Sequence, residues 1–199
     1  MTVRPEIAFE LEPYSTKEEE GRAGTAGAFG EIAVASPRGK WRDKPVDNST
    51  EIRVRGEKLP EVLYRAVGRP RPGLKDARLL IDGVPVELAF NERAFRNSAR
   101  ALQLTFQGRA YAYTVTGAEK GSVLRRTGME ISIIRGEGRG RKGRSSVGTI
   151  AGEADGIDLA LAVIFEEVDT FALTSGGAAI AAFNWVVTPR TTDSSVGTE

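Results

Sequence analysis

The densest group of chemically active side chains in the sequence is RGEGRGRKGR, residues 135–144. It sets five cations against the single Glu137, and four glycines separate them. Guanidinium and ammonium groups bind phosphate and carboxylate oxygens, and arginine does so with paired donors. The pattern therefore predicts an anion-binding loop, and its candidate ligand contacts are Arg135, Arg139, Arg141, Lys142 and Arg144.

The glycine spacing in this loop also matches a nucleotide-binding pattern, G-x-G-x-x-G, within GRGRKG. That motif requires a helix directly after the glycines, whereas the residues that follow here predict a strand. The sequence contains no Gly-Lys-Ser or Gly-Lys-Thr, so the P-loop pattern fails as well. Two interpretations stay open. The loop binds lipid headgroups, nucleic acid or an acidic protein, or it is a solvated hairpin loop whose charges favour solubility.

Two further segments hold clustered cations: GRPRPGLKDAR, residues 68–78, and NERAFRNSAR, residues 91–100. Arg69 and Arg71 in the first segment join the candidate ligand contacts. Each segment alone is compatible with ordinary protein surface. If all three basic segments lay at one end of a barrel, they would form one patch.

The composition excludes several kinds of chemistry. The 199 residues include no Cys and no His, and the net charge is +1. Disulfides, Cys- or His-ligated zinc and His-dependent triads are therefore impossible. Acid–base chemistry would fall to carboxylates, Lys or Tyr. Paired carboxylates such as Glu166, Glu167 and Asp169 could bind a metal or act as acid and base, but we expect these three to mark where a helix emerges into water. We predict a protein that is not an enzyme and has no cofactor or metal.

The sequence also lacks the usual signals for export and membrane insertion. The first 20 residues contain no apolar region typical of a signal peptide. No run reaches the roughly 18 apolar residues that a membrane span needs. We therefore expect a cytoplasmic protein without a transmembrane segment.

In most of the segments between these loops, apolar and polar residues alternate with a period of two, which predicts β-strands. Turns at Asp82-Gly83, Gly108-Arg109 and Thr127-Gly128 predict three hairpins. These registers place Ile81 opposite Val84, Phe106 opposite Tyr111, and Leu124 opposite Ile131. The stretches EIAVAS, TEIRVRG and RSSVGTIAG add further strands. Roughly nine to eleven strands joined by short turns indicate an antiparallel meander.

One segment near the C-terminus, EADGIDLALAVIFEEVD, departs from this pattern. Asp155 is a candidate N-cap, with Asp158 three residues later in the manner of a capping box. The residues that follow are apolar in every helical direction, so the helix must be buried on all sides. The alternative is a fully buried strand. We predict a mainly β (α+β) fold: a closed antiparallel barrel of hairpins around a buried helix over residues 157–168.

The ends of the chain differ from this domain in composition. Residues 1–28 contain an acidic run and a small-residue stretch, which predict a flexible acidic arm. Within it, IAFEL could still dock as an edge strand or bind a partner. Residues 29–187 are assigned to a single barrel domain, within which residues 171–187 could be a second helix or a closing strand. Residues 188–199 are polar and predict a disordered tail.

The order of hairpins, a strand ending in VGTIAGEAD, and an apolar helix resembles the Tubby C-terminal-like superfamily. This superfamily includes Tubby proteins, phospholipid scramblases and LURP-one-related proteins. The resemblance is sharpest over residues 144–170, where DGIDLALAVIFEEVD is similar to the central helix of the LURP-one-related branch. It implies twelve strands around a central helix, and phospholipid headgroups as ligand. It implies no catalytic residue.

Two functions are consistent with these features. The first is a non-enzymatic binding module whose basic loops engage an anionic lipid or another polyanion. The second is a structural or assembly protein, such as a phage-tail or particle subunit. In that case the N-terminal arm and the Gly/Arg loop would become ordered against neighbouring subunits of a homo-oligomer or another assembly partner.

Overall fold

A computed structural model of the chain describes residues 6–38, 49–68, 71–91, 100–117, 120–136 and 144–174. These residues form a closed antiparallel barrel in which each strand pairs with its neighbours in sequence, and β1 pairs with β12 to close the ring. The twelve strands are β1 (Ile7–Ser15), β2 (Glu19–Thr25), β3 (Glu31–Pro37), β4 (Ser49–Gly56), β5 (Val62–Val67), β6 (Arg78–Ile81), β7 (Val84–Ala89), β8 (Leu102–Phe106), β9 (Arg109–Gly117), β10 (Gly121–Arg126), β11 (Met129–Arg135) and β12 (Ser146–Gly152). The predicted fold class is confirmed.

The helix α1 (Gly156–Ile164) lies inside the barrel. It contacts β4 and β5 on one wall and β10 and β11 on the opposite wall. Every residue from Asp158 to Ile164 is buried, as expected for a helix that is apolar on all sides. The capping box between Asp155 and Asp158 is present.

The helix ends at Ile164 and not at the predicted residue 168. After Ile164 the backbone tightens into turns in which each N–H bonds to the third residue before it. The backbone N–H of Glu166 donates to the carbonyl oxygen of Val163, and that of Glu167 to the carbonyl oxygen of Ile164. The N–H of Val168 donates to the carbonyl oxygen of Phe165. This tightening lets Glu166 and Glu167 point toward the barrel wall. A 3-10 helix, Phe171–Leu173, follows.

The prediction of a flexible acidic arm over residues 1–28 is wrong for residues 7–25, which form β1 and β2. In β1 the side chains alternate: Phe9 and Leu11 face the core, whereas Glu10 and Glu12 face outward. The acidic residues are thus the wet face of a barrel strand. These two strands, together with β5, for which no segment was named, explain why the predicted count of nine to eleven was too low.

Two of the three predicted hairpin registers are confirmed. Ile81 pairs with Val84, and Leu124 pairs with Ile131. The third is wrong by two residues, because Phe106 pairs with Arg109. The turn is Gln107-Gly108, with φ of 48° and 77°. A type I′ turn needs positive φ at both positions, and glycine fits the second. Since the error is an even number of residues, Tyr111 still faces the core, as predicted.

The predictions for the C-terminal part of the chain fall on residues outside the described ranges. These are the second helix or closing strand, from residue 175 to 187, and the disordered tail over residues 188–199. In the part of the chain that the structure describes, no helix is long and apolar enough to cross a membrane.

Barrel closure depends on a close contact between β1 and β12. Phe9 pairs with Gly148 in the register, and the Phe9 ring occupies the space that a side chain at residue 148 would need. A Cβ built on Gly148 would lie 2.0 Å from the Phe9 ring. Glycine at this position therefore lets an aromatic ring lie against the backbone at the seam.

We expect Gly148→Ala to lower the free energy of unfolding by about 1–3 kcal/mol, because Phe9 must move out of a packed core. Replacing Phe9 as well, in Gly148→Ala/Phe9→Leu, should restore part of the loss. Chemical denaturation measures both. If Gly148→Ala is as stable as the wild type, Phe9 does not close the barrel in this way.

Candidate functional site

The strand order gives the barrel two ends with different connections. In an up-and-down barrel, successive connections alternate between the ends. We call one the basic end; there β1 connects to β2, β3 to β4, β5 to β6, β7 to β8, β9 to β10, and β11 to β12. The other, the acidic end, has the remaining strand connections and the turn that leads into α1. The helix begins at the acidic end and ends at the basic end.

The charges in the sequence divide between these two sets of connections. Segments joining strands at the basic end hold 16 Lys and Arg and 7 Asp and Glu; they are residues 16–18, 38–48, 68–77, 90–101, 118–120 and 136–145. Segments at the acidic end hold one Lys and five Asp and Glu; they are residues 26–30, 57–61, 82–83, 107–108, 127–128 and 153–155. All three basic segments of the sequence analysis join strands at the same end.

Three of the seven predicted ligand contacts belong to the described residues, and all three lie at the basic end: Arg71, Arg135 and Arg144. Arg71 and Arg144 are partly exposed. Arg69, Arg139, Arg141 and Lys142 lie outside the described residues.

Arg135 has an internal role that the sequence analysis did not anticipate. Its side chain is only 7% exposed. Its Nε and Nη2 donate to the two carboxylate oxygens of Glu166 at 3.0 and 3.1 Å. A paired-donor contact of this kind fixes both side chains. Arg135 thus holds the end of α1 against the wall, and its guanidinium is engaged within the protein.

The expectation that Glu166 and Glu167 mark an exit into water is wrong, because both are buried. Glu166 also accepts a hydrogen bond from Ser146 Oγ at 2.7 Å, and Glu167 pairs with Arg22. Asp169 is exposed, as expected. Buried carboxylates persist when cations and hydroxyls replace their water, and here β2, β11 and β12 supply those groups.

Arg22 and Tyr113 complete this buried polar cluster. Arg22 lies on the inward face of β2 and is 2% exposed. Burial lowers its pKa, and the Glu166 carboxylate opposes that shift. The Tyr113 ring packs against Phe165, with ring centroids 4.5 Å apart. Burial, then the negative charge of Glu166, raises the pKa of the Tyr113 hydroxyl, so it stays protonated at neutral pH.

A second polar cluster holds the start of α1 at the acidic end. Asp158 is fully buried and accepts from Arg126 Nη2 at 2.6 Å and from Tyr111 Oη at 3.1 Å. Asp155 caps the helix and pairs with Arg109. Burial alone would raise the pKa of Asp155, but hydrogen bonds from Arg109 and the Asp158 backbone N–H lower it overall.

Between two hairpin turns at this end lies a shallow cleft of about 440 Å³. Its lining is Gly108, Arg109, Ala110, Arg126 and Thr127. Arg109 and Arg126 pair with Asp155 and Asp158, so the cations bordering the cleft hold the helix. Among the described residues, no three carboxylates converge into a group that could hold a metal ion.

No protein-family model, curated protein or solved structure matches this chain. The candidate site therefore rests on the geometry and the charges of the barrel itself.

Sequence reasoning missed Arg22 because β2 was assigned to the arm. The sequence did contain a sign that Arg135 points inward. Arg135 follows Ile131 and Ile133 at two-residue spacing, so all three side chains share the inward face of β11. An arginine at an inward position requires a buried anion. The two glutamates after an all-apolar helix were the available partners.

We expect Asp155→Ala to lower the free energy of unfolding by about 1 kcal/mol through loss of the N-cap. Asp155→Asn keeps a capping side chain but loses the charge opposite Arg109, so it should lose less. Because the folded pKa of Asp155 lies below its ordinary value of 3.8, its charge contribution is present above that value. This contribution to stability is lost as the pH falls through the pKa that Asp155 has in the folded protein.

The stability difference between wild type and Asp155→Asn should therefore be constant near neutral pH and shrink in acid. Urea denaturation across a pH series measures this. A difference that grows as pH falls would contradict the assignment of Asp155 as the depressed carboxylate.

We expect Arg22→Met to lower the free energy of unfolding by about 3–5 kcal/mol, because it removes the cation beside a buried carboxylate. The double variant Arg22→Met/Glu167→Met should recover most of that loss. Arg125→Met is the matched control, since Arg125 pairs with Glu130 on the surface; it should change stability by less than about 1 kcal/mol. Equal losses in Arg22→Met and Arg125→Met would contradict the role of the buried pair.

Proposed function

We propose that the protein is a non-enzymatic binding module whose basic end engages phospholipid headgroups. The observation that supports this most directly is the division of charge between the two sets of connections. The net charge of the chain is only +1, so the protein as a whole is not drawn to an anionic surface. The segments that connect strands at one end have nine more Lys and Arg than Asp and Glu, whereas those at the other end have four more Asp and Glu than Lys and Arg.

A barrel polarised in this way turns its basic end toward an anionic membrane. Each Lys or Arg near such a surface is worth about 1 kcal/mol, and the attraction falls off within a Debye length of about 8 Å at physiological salt. Three or four contacts therefore give roughly 3–4 kcal/mol, which is a factor of about 10²–10³ in binding.

Four of the carboxylates that could perform acid–base chemistry have structural roles. Glu166, Glu167, Asp155 and Asp158 each pair with an arginine that anchors α1. Their engagement supports a binding role over a catalytic one.

Membership of the Tubby C-terminal-like superfamily is part of the same proposal. The resemblance over residues 144–170 implies twelve strands around a central helix, and the barrel has that arrangement. Phospholipid headgroups are the ligand class that the resemblance implies.

Flotation of the purified protein with vesicles tests the proposal. We expect binding to vesicles that contain phosphatidylserine or phosphoinositides, no binding to pure phosphatidylcholine, and weaker binding as salt rises. The triple variant Arg139→Ser/Arg141→Ser/Lys142→Ser should lose most of the binding.

The control is Arg53→Ser/Lys58→Ser/Arg125→Ser, which removes the same charge from exposed positions away from the basic end. It should bind as the wild type does. Equal losses in the two triple variants would show that only net charge matters and would contradict a site at the basic end. Absence of flotation, together with ordered self-assembly of the protein, would favour the assembly role. Binding to heparin without binding to vesicles would indicate a soluble polyanion as partner.

A further inference from the structure

The exposed apolar side chains of the barrel are distributed unevenly between its two ends. Among the described residues, five large hydrophobic side chains are exposed, and four of them lie at the basic end with exposures between 42% and 66%. These four form what we call the apolar rim: Val67, Ile134, Val147 and Phe171. The fifth, Val84, begins a strand at the acidic end.

The members of the apolar rim lie close to the strand ends. Ile134 is the last residue but one of β11, and Val147 is the second residue of β12. The two pair directly across the strands, on the outward face. At about 3.3 Å per residue, they lie roughly 3–4 Å from the strand ends. Together they form an exposed aliphatic pair beside the Arg-rich connection.

The other two members lie elsewhere around the opening. Val67 ends β5, which is opposite β11 in the ring of twelve strands. Phe171 belongs to the segment that crosses the basic end after α1. That segment is held by a hydrogen bond from the Asp169 N–H to the Pro72 carbonyl oxygen at 2.9 Å, and by Arg100, which donates to the Ala172 carbonyl oxygen. Apolar contacts are thus available on both sides of the opening.

We propose that the apolar rim inserts into the interfacial layer of an anionic lipid bilayer, so that the barrel docks with its basic end against the membrane. This proposal rests on the proposed function and adds a depth and an orientation to it. Amphipathic surfaces that bind membranes place their apolar side chains about 5–10 Å into the boundary between headgroups and acyl chains. Side chains within a few ångströms of the strand ends can reach that depth.

The combination of charge and apolarity favours a membrane over a soluble polyanion. A nucleic acid would use the cations alone and would leave Ile134 and Val147 in water. A bilayer offers phosphates to the cations and hydrocarbon to the aliphatic pair. The connecting segments at the acidic end hold more Asp and Glu than Lys and Arg, and this end would face away from the lipid.

The absence of cysteine from the sequence makes a site-specific test direct. Ile134→Cys and, as the matched control, Val84→Cys would each be labelled with an environment-sensitive fluorophore. Both positions are exposed, at 66% and 46%, so labelling leaves the core intact. With phosphatidylserine-containing vesicles, we expect the label at position 134 to become brighter and blue-shifted and to be quenched by brominated lipids. The label at position 84 should not respond.

A second measurement uses the binding strength. Ile134→Ser/Val147→Ser should lower partition onto anionic vesicles by about tenfold, because two aliphatic side chains no longer leave water. Val84→Ser should have no effect. Both variants keep every charge, so any loss separates insertion from electrostatic attraction.

The outcomes distinguish this proposal from the one on which it rests. If the wild-type protein does not bind anionic vesicles, the proposed function fails and the insertion fails with it. If the wild type binds but the label at position 134 does not respond and Ile134→Ser/Val147→Ser binds equally well, insertion is wrong while headgroup binding stands. If Ile134→Ser/Val147→Ser instead abolishes self-association without changing vesicle binding, the apolar rim is a contact between copies of the chain.

Discussion

The enclosure of one short helix is the constraint on which the rest of the structure depends. The nine residues of α1 are apolar on every side except for Asp158. A single sheet face would leave half of such a helix in water, at a cost of roughly 1.5–3 kcal/mol for each exposed large side chain. Only a wall that surrounds the helix removes this cost, and twelve strands closing on themselves provide one.

Enclosure alone would let the helix slide along the barrel, and charged groups at its two ends fix its position. At the acidic end, Asp158 binds Arg126 and Tyr111. At the basic end, Glu166 and Glu167 bind Arg135 and Arg22. A shift of the helix by one turn would separate these buried charges from their partners, which is strongly unfavourable in an apolar interior. We infer that the paired charges specify the register while the apolar contacts supply most of the stability.

Barrel closure also has a consequence for the surface. Because successive connections alternate between the ends, strand ends that are dispersed along the chain lie at the same end of the barrel. The three basic segments precede β6, β8 and β12, and they share an end for this reason. The acidic turns join strands at the other end, so a chain with a net charge of +1 has connecting segments that divide into a basic set and an acidic set.

Local patterns in the sequence determined nine of the twelve strands, the turns at Asp82-Gly83 and Thr127-Gly128, and the buried, capped helix. These depend on the period of the side chains and on turn chemistry, which act over a few residues. The sequence alone misassigned residues 7–25, because acidic side chains on the wet face of β1 look the same as those of a solvated arm until β12 is known to pair with it.

Only the tertiary structure decided which cations are available at the surface and which are buried. Arg135 belongs by sequence to the basic loop, yet it lies on the inward face of β11 and pairs with Glu166. Arg22 and Glu167 are 145 residues apart along the chain and meet only because β1 and β2 complete the wall. Such pairs require the closed ring, since long-range contacts follow from topology, whereas the period of a strand or the cap of a helix is written in neighbouring residues.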